Sequence, residues 1–188
     1  MENVRLFLAT GFLALATSVA QAQTAGGVPL RAPDIHYEPT PYNVVTEILD
    51  LASIGARDTV YDLGCGDGRI VIAAVKQRGA RGVCVDIDPQ RIRESQANAR
   101  REGVAERIVF LTQDLFGTDL SGATVVTLFL SHNINQRLRP KLMHELRPGT
   151  RVISYVHGMD DWTPNEKRTV QGAYGPRDLS LWVIGPRP

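Results

Sequence analysis

The fold is indicated most directly by residues 60–71, which read VYDLGCGDGRIV. The stretch begins as a short apolar strand, passes through three glycines within five positions, and continues as the apolar pattern of a helix. Glycine suits such a turn because the chain bends sharply there and its backbone must approach a ligand closely. The stretch therefore predicts a strand–loop–helix unit with a ligand-binding loop.

Strand and helix patterns alternate along the rest of the chain. The predicted strands are residues 59–63, 82–86, 108–112, 124–130 and 151–156, and the predicted helices are 69–77, 89–101 and 135–146, with another beginning at Pro41. This alternation predicts a doubly wound, mostly parallel Rossmann-like α/β sheet. Too few residues follow position 156 for a helical crossover. Residues 167–171 and 179–184 are therefore predicted to form a C-terminal antiparallel hairpin at the sheet edge.

The charge beside the glycine loop distinguishes between nucleotide cofactors. A dinucleotide-binding loop would have its third glycine at the position of Arg69, whereas here the spacing is Gly-x-Gly-x-Gly. The loop also follows an acid, Asp62. A carboxylate at this strand end repels a pyrophosphate but attracts the ammonium group of a methionine moiety. These features favour S-adenosyl-L-methionine (SAM) over NAD.

Two further acids follow the next two predicted strands. Asp86 ends the second strand and is expected to accept hydrogen bonds from both ribose hydroxyls, while Asp88 is expected to cap the helix after it. Asp114 lies just past the third strand, where it can accept from the adenine amino group. The complete set of predicted cofactor-binding residues is Asp62, Gly64, Cys65, Gly66, Gly68, Asp86, Ile87, Asp114, Leu115 and Ser131.

The glycine loop and the acids resemble those of class I, seven-strand SAM-dependent methyltransferases. More narrowly, the chain resembles a family of small protein-lysine N-methyltransferases with archaeal and mitochondrial members. The segments that carry this resemblance are 37–41 (YEPTP), 62–74, 125–130 (VVTLFL), 138–142 (LRPKL), 148–154 (PGTRVIS) and 162–164 (WTP). The resemblance extends over nearly the whole chain after its N-terminal leader and implies a protein substrate methylated on lysine.

Methyl transfer to an amine requires in-line positioning more than dedicated acid–base groups. Desolvation beside a sulfonium cation lowers the pKa of a lysine amine, so we expect no catalytic triad and no metal. The expected catalytic residues are Tyr37, Asn133 and His157. Asn133 is equally compatible with a helix N-cap, and His157 with an ordinary loop histidine.

The sequence is compatible with three functions. The leading hypothesis is lysine methylation, because no separate substrate-binding insertion interrupts the domain. The alternatives are N- or O-methylation of a small molecule, and a SAM-binding protein without catalysis. A formal net charge of +1 gives no reason to expect a nucleic-acid partner.

The N-terminus has the order of features found in a secretory signal. A leader containing Arg5 precedes an uncharged apolar run over residues 6–20, and the triplet Ala20-Gln21-Ala22 fits a signal peptidase site. We therefore expect a signal peptide over 1–22, a tether over 23–33 and a methyltransferase domain over 34–188, located in the periplasm or secreted. After cleavage no stable membrane span would remain, whereas an uncleaved leader would tether the enzyme to a membrane.

The sequence contains two cysteines, which raises the question of a disulfide. Cys65 belongs to the glycine loop and Cys84 to the second predicted strand. Strand register is expected to hold their Cα atoms too far apart for a bond. On this interpretation Cys84 is simply a small core residue.

Overall fold

A computed structural model describes residues 31–186 of the chain, so the predicted signal peptide and most of the predicted tether lie outside the described residues. The described part contains a seven-stranded sheet in the order β3-β2-β1-β4-β5-β7-β6. The strands are β1 (Thr59–Leu63), β2 (Arg81–Asp86), β3 (Ile108–Thr112), β4 (Val125–Leu128), β5 (Arg151–Tyr155), β6 (Glu166–Gly172) and β7 (Gly175–Val183). The α-helices are α1 (Tyr42–Leu51), α2 (Arg69–Arg78), α3 (Pro89–Arg101) and α4 (His132–Glu145).

The predicted fold class is confirmed. Strands β1 to β5 pair in parallel, while β7 runs antiparallel to both β5 and β6. The C-terminal hairpin therefore extends the sheet, with β6 at its edge. Strand order reverses between β1 and β4, and ligands of doubly wound sheets bind at the carboxyl ends of the strands at such a point.

Clusters of buried hydrophobic residues, three within residues 31–186, pack on both faces of the sheet. Consecutive residues of β4 point to opposite faces, so that Val125 belongs to the core beneath α1 and α2, whereas Val126 belongs to the core beneath α4. Trp182 is fully buried in the core beneath α4 and donates its indole N–H to the Trp162 carbonyl at 2.7 Å. Burial on both faces explains why the parallel strands read as continuous apolar runs.

Between β4 and α4, the sequence prediction is wrong about where the strand ends and where the helix begins. The fourth strand ends at Leu128 instead of 130, and α4 begins at His132 instead of 135. The Ser131 hydroxyl caps α4 by accepting from the Ile134 amide at 3.4 Å. Asn133 therefore lies in the first turn of α4, and its interpretation as the N-cap is wrong.

The expectation that the two cysteines are too far apart is also wrong. Cys65 and Cys84 form a disulfide with a Cα–Cα distance of 5.4 Å. The reason is the turn at Gly64 (φ 79°), because the amides of both Gly64 and Cys65 donate to the Val85 carbonyl, at 2.8 and 3.0 Å. The chain thus folds back over β2 instead of continuing along the sheet. A cross-link between cysteines 19 residues apart stabilises a fold by about 3 kcal/mol.

None of the helices within residues 31–186 is long and apolar enough to span a membrane.

Candidate functional site

The glycine loop lies at the carboxyl end of β1 and leads directly into α2. Gly66 has a positive φ of 56°, and a Cβ atom there would lie 2.3 Å from the Tyr37 ring. Gly68 caps α2 with φ 80°, and a Cβ there would lie 2.9 Å from the Ser95 side chain. Both positions combine left-handed backbone with close packing, so they require glycine. The loop therefore brings backbone N–H groups and the α2 N-terminus to the edge of the cleft.

Asp86 connects the end of β2 to this loop. Its carboxylate accepts from the Gly66 amide and the Asp88 amide, both at 2.9 Å. Burial raises the pKa of Asp86, while hydrogen bonds from these two amides lower it. Asp88 caps α3 by accepting from the Gln90 amide at 2.7 Å, which confirms that assignment.

A cleft runs along the carboxyl ends of β2, β3 and β4. It is lined by predicted cofactor-binding residues and by others that the sequence analysis missed. The predicted residues in the lining are Gly64, Asp86, Ile87, Asp114 and Leu115, and the missed ones include Arg31, Val85, Gln113, Phe129 and Leu130. This first cavity is partly apolar, and its lining includes five acidic residues, Asp86 and Asp114 among them, which suits a nucleoside.

A second cavity lies at the end of β1, beside the buried carboxylate of Asp62. Its lining includes Asp62, Cys65, Thr40, Asp67 and Arg69. The two cavities share four lining residues, which are Tyr37, Glu38, Gly64 and Phe129. They are therefore neighbouring parts of one site that meet beside the glycine loop.

Asp62 is only 3% exposed and forms no ion pair within residues 31–186. The Thr127 hydroxyl donates to it at 2.7 Å. Burial raises the pKa of Asp62 to about 7, the Thr127 hydrogen bond opposes this rise, and the charges of Asp67 and Asp86 add to it. An uncompensated buried carboxylate is costly, so the site favours a cationic ligand group.

The segment of residues 31–41 contributes to the lining of both cavities. The Arg31 guanidinium donates to Asp114 at 3.0 Å and pairs with Asp34 at 2.6 Å. At its other end, Arg69 donates to the Thr40 carbonyl at 2.8 Å. The last residues assigned to the tether therefore contribute to the site, because Arg31 and Pro33 both line the first cavity.

Tyr37 is the only one of the three predicted catalytic residues in the lining of these cavities. Its ring packs over Gly66, and the Arg91 guanidinium lies 4.8 Å from the ring centroid. Burial raises the pKa of Tyr37, and the charge of Asp67 raises it further. Asn133 and Ser131 lie near the start of α4, outside the two linings.

His157 follows a strained turn at the end of β5. The central residue, Val156, has φ 73°, and the His157 amide donates to the Tyr155 carbonyl at 3.0 Å in a γ-turn. The Ser154 hydroxyl and the Asn135 amide donate to the His157 carbonyl at 2.7 and 3.0 Å. Burial lowers the pKa of His157, as does the nearby charge of His132, and both effects favour the neutral imidazole.

Comparison with known proteins identifies the family. Residues 62–166 match the ANTKMT methyltransferase domain family. The chain belongs to this family. A protein-lysine N-methyltransferase of Saccharolobus islandicus is 44% identical over 154 residues, which cover 81% of this chain and 96% of that protein.

Two other similar proteins carry different descriptions. An RNA methyltransferase of Salinibacter ruber, solved with S-adenosyl-L-homocysteine, is 45% identical with a TM-score of 0.75, over 80% of this chain and 96% of that chain. A lysine N-methyltransferase of Xenopus laevis, named for its action on ATP synthase, is 36% identical over 106 residues, which cover 56% of this chain and 46% of that protein. This chain is accordingly a class I SAM-dependent methyltransferase.

The geometry of the site fits SAM. The buried Asp62 carboxylate lacks a cation partner among the described residues, and the amino acid part of SAM carries an ammonium group. Asp86 and Asp114 lie along the neighbouring cavity, at positions suited to ribose and adenine. The SAM sulfur would then lie where the two cavities meet.

The pKa of Asp62 predicts that cofactor binding depends on pH. If the ionised carboxylate holds the ammonium group, SAM affinity should fall about tenfold between pH 8 and pH 6, because the free protein is mostly protonated at Asp62 below pH 7. Titration calorimetry across this pH range measures the change, and Asp62→Asn should bind more weakly with little of this dependence. A pH-independent wild-type affinity would exclude the proposed role.

The same substitution supplies a control on folding. Since the pKa of Asp62 is raised in the folded state, the group favours folding at low pH and loses that contribution as pH rises through 7. The free energy of unfolding of ligand-free Asp62→Asn should therefore match or exceed that of the wild type at pH 8. Weak binding by a less stable variant would indicate structural damage instead.

Proposed function

We propose that this protein transfers the methyl group of SAM to the ε-amine of lysine side chains in proteins. The observation that carries this proposal is the short connection on the acceptor side between β4 and α4, which has only three residues and therefore no room for an insertion that would cover the acceptor. An open site of this kind admits a side chain that protrudes from a large partner. The likeness to the protein-lysine N-methyltransferase of Saccharolobus islandicus over 96% of its length supports the same substrate.

In this proposal the cofactor is held by charge and by backbone. Asp62 binds the ammonium group of SAM, Asp86 the ribose hydroxyls and Asp114 the adenine amino group. The remaining members of the predicted set shape the pocket through the glycine loop and through apolar contacts, and they are Gly64, Cys65, Gly66, Gly68, Ile87 and Leu115. Ser131 contributes indirectly, since it caps α4 at the edge of the acceptor side.

SAM supplies a methyl group on a cationic sulfur. The protein has to exclude water and align the lysine nitrogen with the methyl carbon, and we assign the inner part of this task to Tyr37. Asn133 and His157 flank the outer route, where a neutral imidazole can accept a hydrogen bond from an amine. Desolvation beside the sulfonium releases the lysine proton to water without a dedicated base.

RNA is a second candidate acceptor because a 45% identical solved relative is described as an RNA methyltransferase. The charge of the site argues against it in this chain, because the linings of the two cavities together contain seven acidic residues and three arginines. Glu38 lines both cavities, and Asp160 lies 3.3 Å from His132 at the start of α4. Acidic groups at the site repel a phosphate backbone, whereas they attract lysine.

The acceptor class can be measured directly. Purified protein incubated with radiolabelled SAM and a bacterial extract should label protein, and acid hydrolysis should recover the label in methylated lysine. Nuclease treatment should leave the signal unchanged. Label in RNA or in the small-molecule fraction would refute lysine as the acceptor, and binding of SAM without turnover would refute catalysis.

We further propose that residues 1–22 direct export to the periplasm or the exterior and are cleaved. These residues lie outside the described part, so the proposal rests on their sequence. The Cys65–Cys84 disulfide supports it, because structural disulfides are typical of oxidising compartments. A membrane-tethered enzyme with an uncleaved leader is the alternative.

Export predicts two properties of the protein made with its leader in a bacterium. Intact-mass measurement of periplasmic material should give an N-terminus at or near Gln23, and thiol alkylation after denaturation should modify no cysteine unless a reductant is added. Recovery of an unprocessed chain in membranes would contradict cleavage. Two free thiols in the periplasmic protein would show that the disulfide does not form there, and the disulfide would then no longer support export.

A further inference from the structure

The place where the two cavities meet contains a carboxylate without an assigned role. Glu38 lines both cavities together with Tyr37, Gly64 and Phe129. If Asp62 and Asp86 hold the two ends of SAM, the reacting sulfur lies at this junction. Glu38 then stands between the cofactor and solvent, on the side from which an acceptor must enter.

The Glu38 side chain is free to bind a ligand. It is exposed, and its carboxylate forms no hydrogen bond or ion pair with any residue from 31 to 186. Other acids of the same segment and loop already have partners, since Asp34 pairs with Arg31 and Asp67 with Arg69. Glu38 is thus an available negative charge at the mouth of the site.

Two aromatic rings, those of Tyr37 and Phe129, line both cavities together with this charge. Tyr155, which is only 3% exposed, supports the Phe129 ring from the core. Phe129 follows β4 and packs against Tyr155 at the end of β5, with ring centroids 4.8 Å apart and planes tilted by 57°. Burial raises the pKa of Tyr155, Arg177 opposes the rise, and the charge of Glu38 adds to it, as expected if Glu38 lies close to this pair. The Tyr155 hydroxyl extends to Gly172 at the tip of the hairpin, where a Cβ would lie 2.3 Å away.

A carboxylate beside aromatic rings is an arrangement that binds alkylammonium groups. The carboxylate attracts the charge, and the rings pack on the methylene chain and face the cation. A carboxylate repels a phosphate, and a neutral acceptor can donate a hydrogen bond to it but gains no attraction between opposite charges.

We propose that Glu38 binds the ammonium group of the acceptor lysine at the junction of the two cavities, beside the rings of Tyr37 and Phe129, and thereby selects a cationic side chain. This inference rests on the proposed function and deepens it by assigning the acceptor-binding carboxylate. Glu38 holds the protonated lysine at the mouth. The amine loses its proton to water as it moves toward the sulfonium, and the N–C bond then forms as the C–S bond breaks.

This division of roles predicts a change in acceptor binding more than in maximal rate. With radiolabelled SAM and increasing concentrations of bacterial extract protein, Glu38→Gln should raise the half-saturating acceptor concentration about tenfold at a similar maximal rate. Glu38→Asp, which keeps the charge, should recover part of the loss. Glu106→Gln is the matched control, because Glu106 precedes the amino end of β3, at the opposite edge of the sheet.

Calorimetry with both forms of the cofactor separates this role from a role in SAM binding. Affinities of Glu38→Gln for SAM and for S-adenosyl-L-homocysteine should stay within about twofold of wild type. A selective loss of SAM affinity would assign Glu38 to the cationic sulfur and overturn the proposal, as would wild-type acceptor kinetics in Glu38→Gln. If the wild type labels no protein, the proposed function itself fails. If the wild type labels protein and the acceptor kinetics of Glu38→Gln equal those of the wild type, only the role of Glu38 is refuted.

Discussion

The site depends on one local constraint, the reversal of the chain immediately after β1. Two consecutive amides, those of Gly64 and Cys65, donate to the single carbonyl of Val85, and the Cys65–Cys84 disulfide joins the same two segments covalently. This reversal places the Gly66 amide on the Asp86 carboxylate at 2.9 Å. The glycine loop is therefore fixed to β2, and a hydrogen bond and a disulfide connect Asp86 and its strand to the loop.

The second feature of the site is the buried carboxylate of Asp62, whose proposed partner is the ammonium group of the cofactor. Asp62 has a hydroxyl donor in Thr127 but no cation among the described residues, and its raised pKa reports the cost of burial. Binding of an ammonium group offsets that cost, so part of the stability lost at Asp62 is regained as cofactor affinity. Burial of Asp62 thus destabilises the free protein, and the proposed binding of an ammonium group removes that penalty in the complex.

Much of the fold follows from the sequence because the pattern of apolar strands and glycine turns is local. The hairpin, the capping role of Asp88 and the fold class are all predicted correctly. Strand ends are less accurate. Phe129 and Leu130 continue the apolar run of β4, yet the strand ends at Leu128 and both residues line the cleft. Hydrophobicity alone cannot distinguish a strand residue from one that lines a pocket.

Contacts between residues that are distant in the sequence could not be predicted from the sequence. The expectation that the two cysteines are far apart assumed that the first strand continues past Gly64. Instead the chain turns at Gly64, and this turn brings the two cysteines together in a disulfide. Arg31 belongs to the predicted tether, but it pairs with Asp114 across 83 positions of sequence. Glu38 lies within a motif that is distinctive for its prolines and tyrosine, and only the three-dimensional arrangement brings it to the junction of the two cavities.

In the proposed complex the glycine loop and Asp86, at the end of β2, together hold SAM. Titration calorimetry of SAM into Asp86→Ala tests this arrangement most directly, with Asp119→Ala, an exposed loop acid on the amino side of β4, as the control. We expect the affinity of Asp86→Ala to fall about 10- to 100-fold, since hydrogen bonds to a charged acceptor contribute about 1.5–3 kcal/mol. A folded Asp86→Ala variant that binds SAM as tightly as the wild type would contradict the account.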